Sequence, residues 1–161
     1  MPRYDPPVSF YFTLSIANPL GMMSVDMEFR EIGGIGAELT TEDVRDGGTN
    51  DTVYRLPTQV NYPNLRCARG LAPMGSTLLP WCFSTFSNTG GIFVPMNIVV
   101  SLLNRDATAS PYMVWTFYDA LPVKWSVSDF NAMNSEVAIE FIEFQYTRLL
   151  CVPGVSIPTM I

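Results

Sequence analysis

The sequence predicts a mainly β protein: an antiparallel barrel or two-sheet sandwich with one short flanking helix. Three observations carry that expectation. Short runs rich in Val, Ile, Phe, Tyr and Thr recur between Gly, Pro and Asn turn signals. Only one segment, near Ser76, places apolar residues at helical spacing. No internal repeat, low-complexity tract or linker divides the 161 residues, so residues 1–161 read as a single domain with room for a sizeable core.

In chain order, "VSFYFTLSI", Val8 to Ile16, is the first strand, and Pro6-Pro7 stops it from starting sooner. "ANPLG" turns the chain. "VDMEFREI" and "AELTTEDVRD" are strand-like pieces, with Gly33 to Gly36 as a bend or bulge between them. From Gly47 to Leu65 runs "GGTNDTVYRLPTQVNYPNL", a polar excursion that opens like a hairpin turn. Two prolines interrupt it, and no simple alternation runs through it. "NLRCARG" then supplies a short strand with Leu65, Cys67 and Arg69 on one face.

"APMGSTLLPWCFSTFS" holds the helix. Ser76 is a plausible N-cap, and Leu78, Leu79, Cys82, Phe83 and Phe86 fall near helical spacing. Pro80 fits only the first turn, which limits the helix to about two turns. "IFVPMNIVVSLLN" is a strand whose beginning Pro95 places at an edge, and "RDATASP" is a hairpin-like connection. "YMVWTFYDALPVKWSV" is a long extended run broken near Leu121-Pro122. Glu136 to Val152 is the longest strand candidate. Apolar residues of both parities imply burial on two sides or a bulge, and aromatic and β-branched content favours strand over helix. The sum is seven or eight strands, a core from about 8 to 150, and an apolar tail over 151–161.

Composition narrows the function. Hydrophobic residues are 48% of the chain and charged residues only 15%, against roughly 25% charged in an average soluble domain. So few charges would leave a free monomer poorly covered, and aromatic, Met-rich surface is typical of protein interfaces. Much of the outside is therefore expected to be covered by partners. The net charge is −6 and no Lys/Arg block exists, which excludes a grip on nucleic acid through phosphate neutralisation. Cys67, Cys82 and Cys151 fit neither a disulfide framework nor a zinc pattern and are expected as buried free thiols in a reducing compartment. No stretch approaches the ~20 apolar residues of a membrane span. The first sixteen residues lack the organisation of a secretory signal, so synthesis and folding in the cytoplasm are expected.

Catalysis finds no support. Histidine is absent, which removes the commonest general base and metal ligand. On a strand Glu136 and Glu140 share a face but lie ~13 Å apart, beyond the ~5–9.5 Å of glycosidase pairs. "GGIG" and "GGTN" lack the Lys-Ser/Thr of a phosphate loop. No catalytic residue, metal or cofactor is expected.

Two long ordered motifs carry a resemblance. "GGTNDTVYRLPTQVNYPNLRCARG", Gly47 to Gly70, resembles a segment of the tail-tube proteins of contractile phages and related contractile injection systems. "WTFYDALPVKWSVSDFNAMNSEVAIEFIEF", Trp115 to Phe144, is similar to the same family's Ala-(Trp/Leu)-Pro-x-Lys-Trp core and Asn-Glu-Val-Ala-Ile-Glu run. The similarity spans roughly Phe10 to Leu149, and the type VI secretion tube protein is similar in architecture. The resemblance implies a structural subunit, not an enzyme. Such subunits form homohexameric rings that stack into a hollow tube inside a sheath, with baseplate hub and other tube proteins as further partners and cargo passing through the lumen. It also implies assembly into a phage tail or an extracellular phage tail-like particle.

Under that resemblance the excursion is expected to be a ring-stacking loop built on Gly47, Gly48, Asn50, Asp51, Tyr54, Arg55, Leu56, Pro57, Tyr62 and Pro63. Gly47 and Gly48 permit its departure, Pro57 and Pro63 stiffen it, and Arg55 with Asp46 and Asp51 would pair at the rim. Trp81, Phe86, Pro122, Lys124, Trp125, Val152, Ile157 and Ile161 are expected at subunit or partner interfaces. For Trp125 and Lys124 the alternative of core and solvated charge stays open. Two departures from the family, a helix segment without charge and an apolar tail after Leu149 that is expected to pack against a neighbouring protein, leave open a specialised tube-initiating ring at the baseplate. A monomeric β-barrel binding peptide or glycan is the alternative of another class.

Overall fold

The computed structural model describes residues 12–17, 23–26, 29–45, 47–48, 53–71, 76, 78–87, 93–103, 111–129 and 137–153. They form ten strands and one helix: β1 (Phe12–Ala17), β2 (Met23–Asp26), β3 (Glu31–Gly33), β4 (Glu38–Arg45), β5 (Val53–Asn61), β6 (Leu65–Gly70), α1 (Leu78–Ser87), β7 (Met96–Leu102), β8 (Met113–Val127), β9 (Ile139–Gln145) and β10 (Arg148–Pro153). Every pairing is antiparallel. The fold is thus mainly β with one short helix, as the sequence predicts, although with ten strands where seven or eight were expected.

Eight strands make one sheet in the order β2-β1-β7-β8-β9-β6-β3, with β10 also on β8. The fifteen-residue β8 does not break at Leu121-Pro122 as expected but runs on and folds the sheet. Its first half pairs with β7 and β10, its second half with β9. Irregularities cluster at the fold line. Asp119 adopts a φ of 51°, a left-handed conformation that Asp tolerates better than most residues. Its backbone N–H donates to Asn97 Oδ1 at 3.1 Å, where the β7–β8 register slips. A second slip follows between Pro122 and Lys124. Bulges of this kind bend a strand and raise its twist.

The long strand expected over residues 136–152 is resolved into two. Arg148↔Tyr118 and Gln145↔Leu121 continue one register along β8, interrupted at Tyr146-Thr147 opposite the fold line. Thr147 bridges the interruption, donating its backbone N–H to Tyr118 O at 3.0 Å, while its hydroxyl lies 3.0 Å from Asp119 Oδ2. Only one face of β9 is buried: Glu140, Ile142 and Phe144 point inward, while Phe141 is exposed. Burial on both sides, one of the two readings that the apolar parity allowed, is therefore corrected. β7 is corrected too: it starts just after Pro95 but lies inside the sheet, between β1 and β8.

The folded sheet closes on a core from both halves: Leu14, Ile16, Ile98, Val100 and Phe117 from one, Leu65, Cys67, Ile142 and Phe144 from the other. The helix caps it with Leu78, Trp81 and Cys82. Pro80 sits in the first turn, where its missing N–H removes no helical bond. Cys67 and Cys82 are buried free thiols, whereas Cys151 is exposed on β10, 3.4 Å from Met113 Sδ. Burial pushes the Cys82 thiol up to about 12, reinforced by the Glu140 carboxylate and opposed by Arg69. Cys67 is pushed up further by burial.

One ion pair lies inside this core. Arg69 Nε donates to Glu140 Oε2 at 2.8 Å, with both side chains almost wholly buried. Glu140 Oε1 accepts from Trp125 Nε1 at 2.6 Å, and the Arg69 guanidinium lies 5.2 Å from the Phe29 ring centroid. Glu140 thus ties β6, β8 and β9 together. Among the described residues β2, β3 and β10 each pair on one side only, so each leaves an open edge in the sheet.

Candidate assembly interface

The expected stacking loop is a two-stranded ribbon. Among the described residues β4 and β5 pair only with each other, and all eight residues of β4 and all nine of β5 are exposed. At ~3.3 Å per residue the nine-residue β5 reaches roughly 30 Å. Gly47 and Gly48 sit in the exposed turn at the tip, while Asn50 and Asp51 lie outside the described residues. Tyr54, Arg55, Leu56 and Pro57 belong to β5 itself, which corrects their assignment to a loop. Arg55 pairs with Asp43 within the ribbon, at 3.4 Å between two exposed side chains; expected partners Asp46 and Asp51 lie outside the described residues.

The ribbon's root is locked to the sheet. Gly34, with φ +80°, packs so closely that a Cβ there would meet Asn64 O at 2.0 Å. Tyr62 is half-buried, its ring 5.5 Å from that of Tyr146, whose hydroxyl donates to Gly36 O at 3.4 Å. Burial raises the Tyr146 pKa, and nearby Tyr62 adds to the rise. Pro63 is exposed beside Gly36. Tyr62 and Pro63 therefore anchor the ribbon instead of extending it. The anchored ribbon displays six large apolar side chains, Leu39 (58% exposed), Val44, Val53, Tyr54 (54%), Leu56 and Val60, among charged ones such as Glu42, Asp43, Arg45 and Arg55. Leu39, Val44, Val53 and Val60 escaped sequence reasoning; for Leu39 and Val44 the signal was the strand-like "AELTTEDVRD" on the near side of Gly47-Gly48.

A second apolar surface surrounds α1. Phe83 and Phe86 face outward, and the Phe83 ring meets Trp125 edge-on with centroids 5.1 Å apart. Trp125 is 38% exposed and oriented by its hydrogen bond to Glu140, so it is neither core nor free surface. Trp81 is corrected. At 6% exposure it stacks on Phe144 at 5.6 Å and donates its Nε1–H to Val94 O at 2.9 Å, committing its bulk to the core. Pro122 is buried beside the β8 bulge, which corrects its placement on an interface. Lys124 is exposed and pairs with Glu143 at 3.5 Å. Val152 and Leu150 are exposed on β10, so Cys151–Pro153 belong to the sheet and not to a separate tail; Ile157 and Ile161 lie outside the described residues.

Among the described residues no group of three or more Cys, Asp or Glu is placed to hold a metal, and no helix is long and apolar enough to cross a membrane. A groove of about 240 Å³ lies over β3, β6 and β9, bordered by Glu31, Arg66 and Glu143 around Phe141.

Comparison with known proteins agrees with the fold. The profile of the family described as T4-like virus tail tube protein gp19 matches residues 8–150. No match is found among curated proteins. Among solved structures the chain is similar to one in the cryo-EM structure of the anti-feeding prophage baseplate, at 24% identity and TM-score 0.79, covering 94% of this chain and 98% of that one. It is similar to a chain of the extended sheath–tube complex of an extracellular contractile injection system, PVC, at 22% identity and TM-score 0.74, covering 92% of each. Hcp1 from Flavobacterium johnsoniae matches at 18% identity and TM-score 0.53, covering 90% of this chain and 97% of that one.

Proposed function

The chain belongs to the T4-like virus tail tube protein family, and from that premise we propose that it is the structural subunit of the inner tube of a contractile injection system or contractile phage tail. Copies close into hexameric rings, and the rings stack into a hollow conduit through which cargo passes. The subunit performs no catalysis. Sheath, baseplate hub and other tube proteins are its further partners, and its place is a phage tail or extracellular tail-like particle.

The observation that carries this reading is the wholly exposed ribbon on its locked root. An isolated two-stranded hairpin is marginally stable in water. A soluble monomer has no use for one that displays six large apolar side chains. Contacts between different patches, repeated by rotation, close into rings, and the ribbon supplies the contact that adds the next ring. The open edges of the sheet give the ring its lateral contacts, since edge-to-edge pairing removes exposed backbone groups.

Excision tests the division of labour. Replacing Glu38–Asn61 by a short Gly/Ser bridge removes both strands and leaves no unpaired edge behind. Rings without tubes are expected by negative-stain microscopy; unimpaired tubes would refute the ribbon's role. A second reading, a specialised ring at the baseplate end of the tube, is favoured by the uncharged α1 with Phe83 and Phe86 outward, a surface suited to a distinct partner. Counting copies per particle separates the two: one or two rings' worth marks an end ring, a large excess the main tube.

A further inference from the structure

The six large apolar residues of the ribbon divide evenly between its two faces. Register places Leu39 opposite Val60 and Arg45 opposite Val53, with Thr41–Pro57 and Asp43–Arg55 between them, on one face. Val44–Tyr54 and Glu42–Leu56 occupy the other, with Thr40–Gln59 and Glu38–Asn61. Simple alternation would not produce this. Tyr54, Leu56 and Val60 share parity, so an unbroken β5 would carry all three on one side. The slip between Thr40 and Thr41 leaves Thr58 as an extra residue, its hydroxyl donating to Thr40 O at 3.0 Å. That bulge turns Val60 to the face opposite Leu56 and Tyr54. Pro57 beside it fits, because proline within strands is confined to edges and bulges.

A ribbon laid on one surface shows apolar residues inward and polar residues outward. Here both faces are mixed. Area points the same way. A face about 30 Å long and about 10 Å wide buries roughly 600 Å² counting both partners, about half of the ~1,200 Å² of the smallest stable interfaces, which two faces together reach.

We propose that the β4–β5 ribbon is gripped on both faces by other copies of this chain, so that each joint between rings involves three subunits. The chain carries a matching receptor. On the outer face of β1, β7, β8 and β10, the side chains of Thr13, Val99, Ser101, Val114 and Thr116, half-buried, and of exposed Leu150 form neighbouring cross-strand positions that are themselves uncharged and are bordered by Arg148 beside Tyr118. A surface of this kind accepts the ribbon's apolar side chains without desolvating an ion of its own. This inference rests on the self-assembly reading above and adds that the contact is two-sided.

The test uses the full chain with one charge placed on each face: Val60→Glu on one and Leu56→Glu on the other. Both side chains are exposed in the subunit, so the unfolding midpoint of the unassembled chain is expected to stay unchanged. Each variant alone is expected to cut tube yield at least about ten-fold, equivalent to about 1.4 kcal/mol. Wild-type yield from either variant overturns the two-sided grip. If a Glu variant melts early, Val60→Thr and Leu56→Thr read the same outcome, since Thr keeps strand propensity while removing apolar area. Wild-type tubes with a one-sided ribbon contradict this inference alone; a wild-type chain that never assembles contradicts the self-assembly reading and this inference with it.

Discussion

Replacing Arg69 by Met in the unassembled subunit probes the buried hub that orients Trp125. Arg69 is 0% and Glu140 1% exposed, so the substitution leaves a carboxylate inside the core with the Trp125 N–H at 2.6 Å but without its cation at 2.8 Å. Breaking a buried pair from one side costs about 3–5 kcal/mol, because the remaining charge is uncompensated. For a chain of this length each kcal/mol moves the melting temperature by about 2–4 °C, so a fall of roughly 6–20 °C is expected. The double variant Arg69→Met, Glu140→Leu removes both charges and is expected to recover most of the loss, since well-packed apolar replacements of buried pairs are often neutral or better. Thermal and urea unfolding followed by circular dichroism, at concentrations where the chain is monomeric, reads both. A single variant losing under about 1 kcal/mol, or a double variant worse than the single, would refute the reasoning that desolvation of Glu140 dominates.

Gly34→Ala meets Asn64 O at 2.0 Å in a φ region that L-residues avoid, so a loss of about 1–3 kcal/mol or more is expected from urea unfolding. Mass spectrometry after maleimide treatment of the native subunit is expected to find label on Cys151 only, with Cys67 and Cys82 labelled once it is unfolded. Because the Cys82 thiol is raised from 9.0 to about 12, its stabilisation is whole below pH 9 and is lost as pH climbs toward 12. Urea midpoints are therefore expected to fall between pH 9 and 11, less steeply in Cys82→Ala. Trp125→Phe removes the N–H that Glu140 Oε1 accepts, for a loss of about 1–3 kcal/mol and freer motion of Phe83 in aromatic NMR spectra.

Much of the fold was legible because period-two patterning survives wherever one sheet face is buried. β6 shows it with Leu65, Cys67 and Arg69 inward, and α1 shows it in its own period with Pro80 confined to the first turn. Illegibility begins where the backbone leaves the regular ladder. Asp119 and the slips near Asn97 and Val123 let one strand serve both halves of the sheet, so Leu121-Pro122 reads as a break when it is a bend. The ribbon hid for the same reason: its bulge at Thr58 scrambles the parity of β5, and a strand exposed on both faces has no buried stripe to announce it. The interface residues divide by environment. Phe86, Lys124, Trp125 and Val152 reach the surface, whereas Trp81 is drawn inside by Phe144 and Pro122 by the bend. Spacing alone does not tell an aromatic that caps a core from one that awaits a partner.

Electron microscopy of the purified chain across a concentration series, with and without its sheath and baseplate partners, bears most directly on the central claim. Sixfold annuli that pile into open-bored tubes are the predicted result. Particles that stay single at every concentration, and beside every partner, would contradict it.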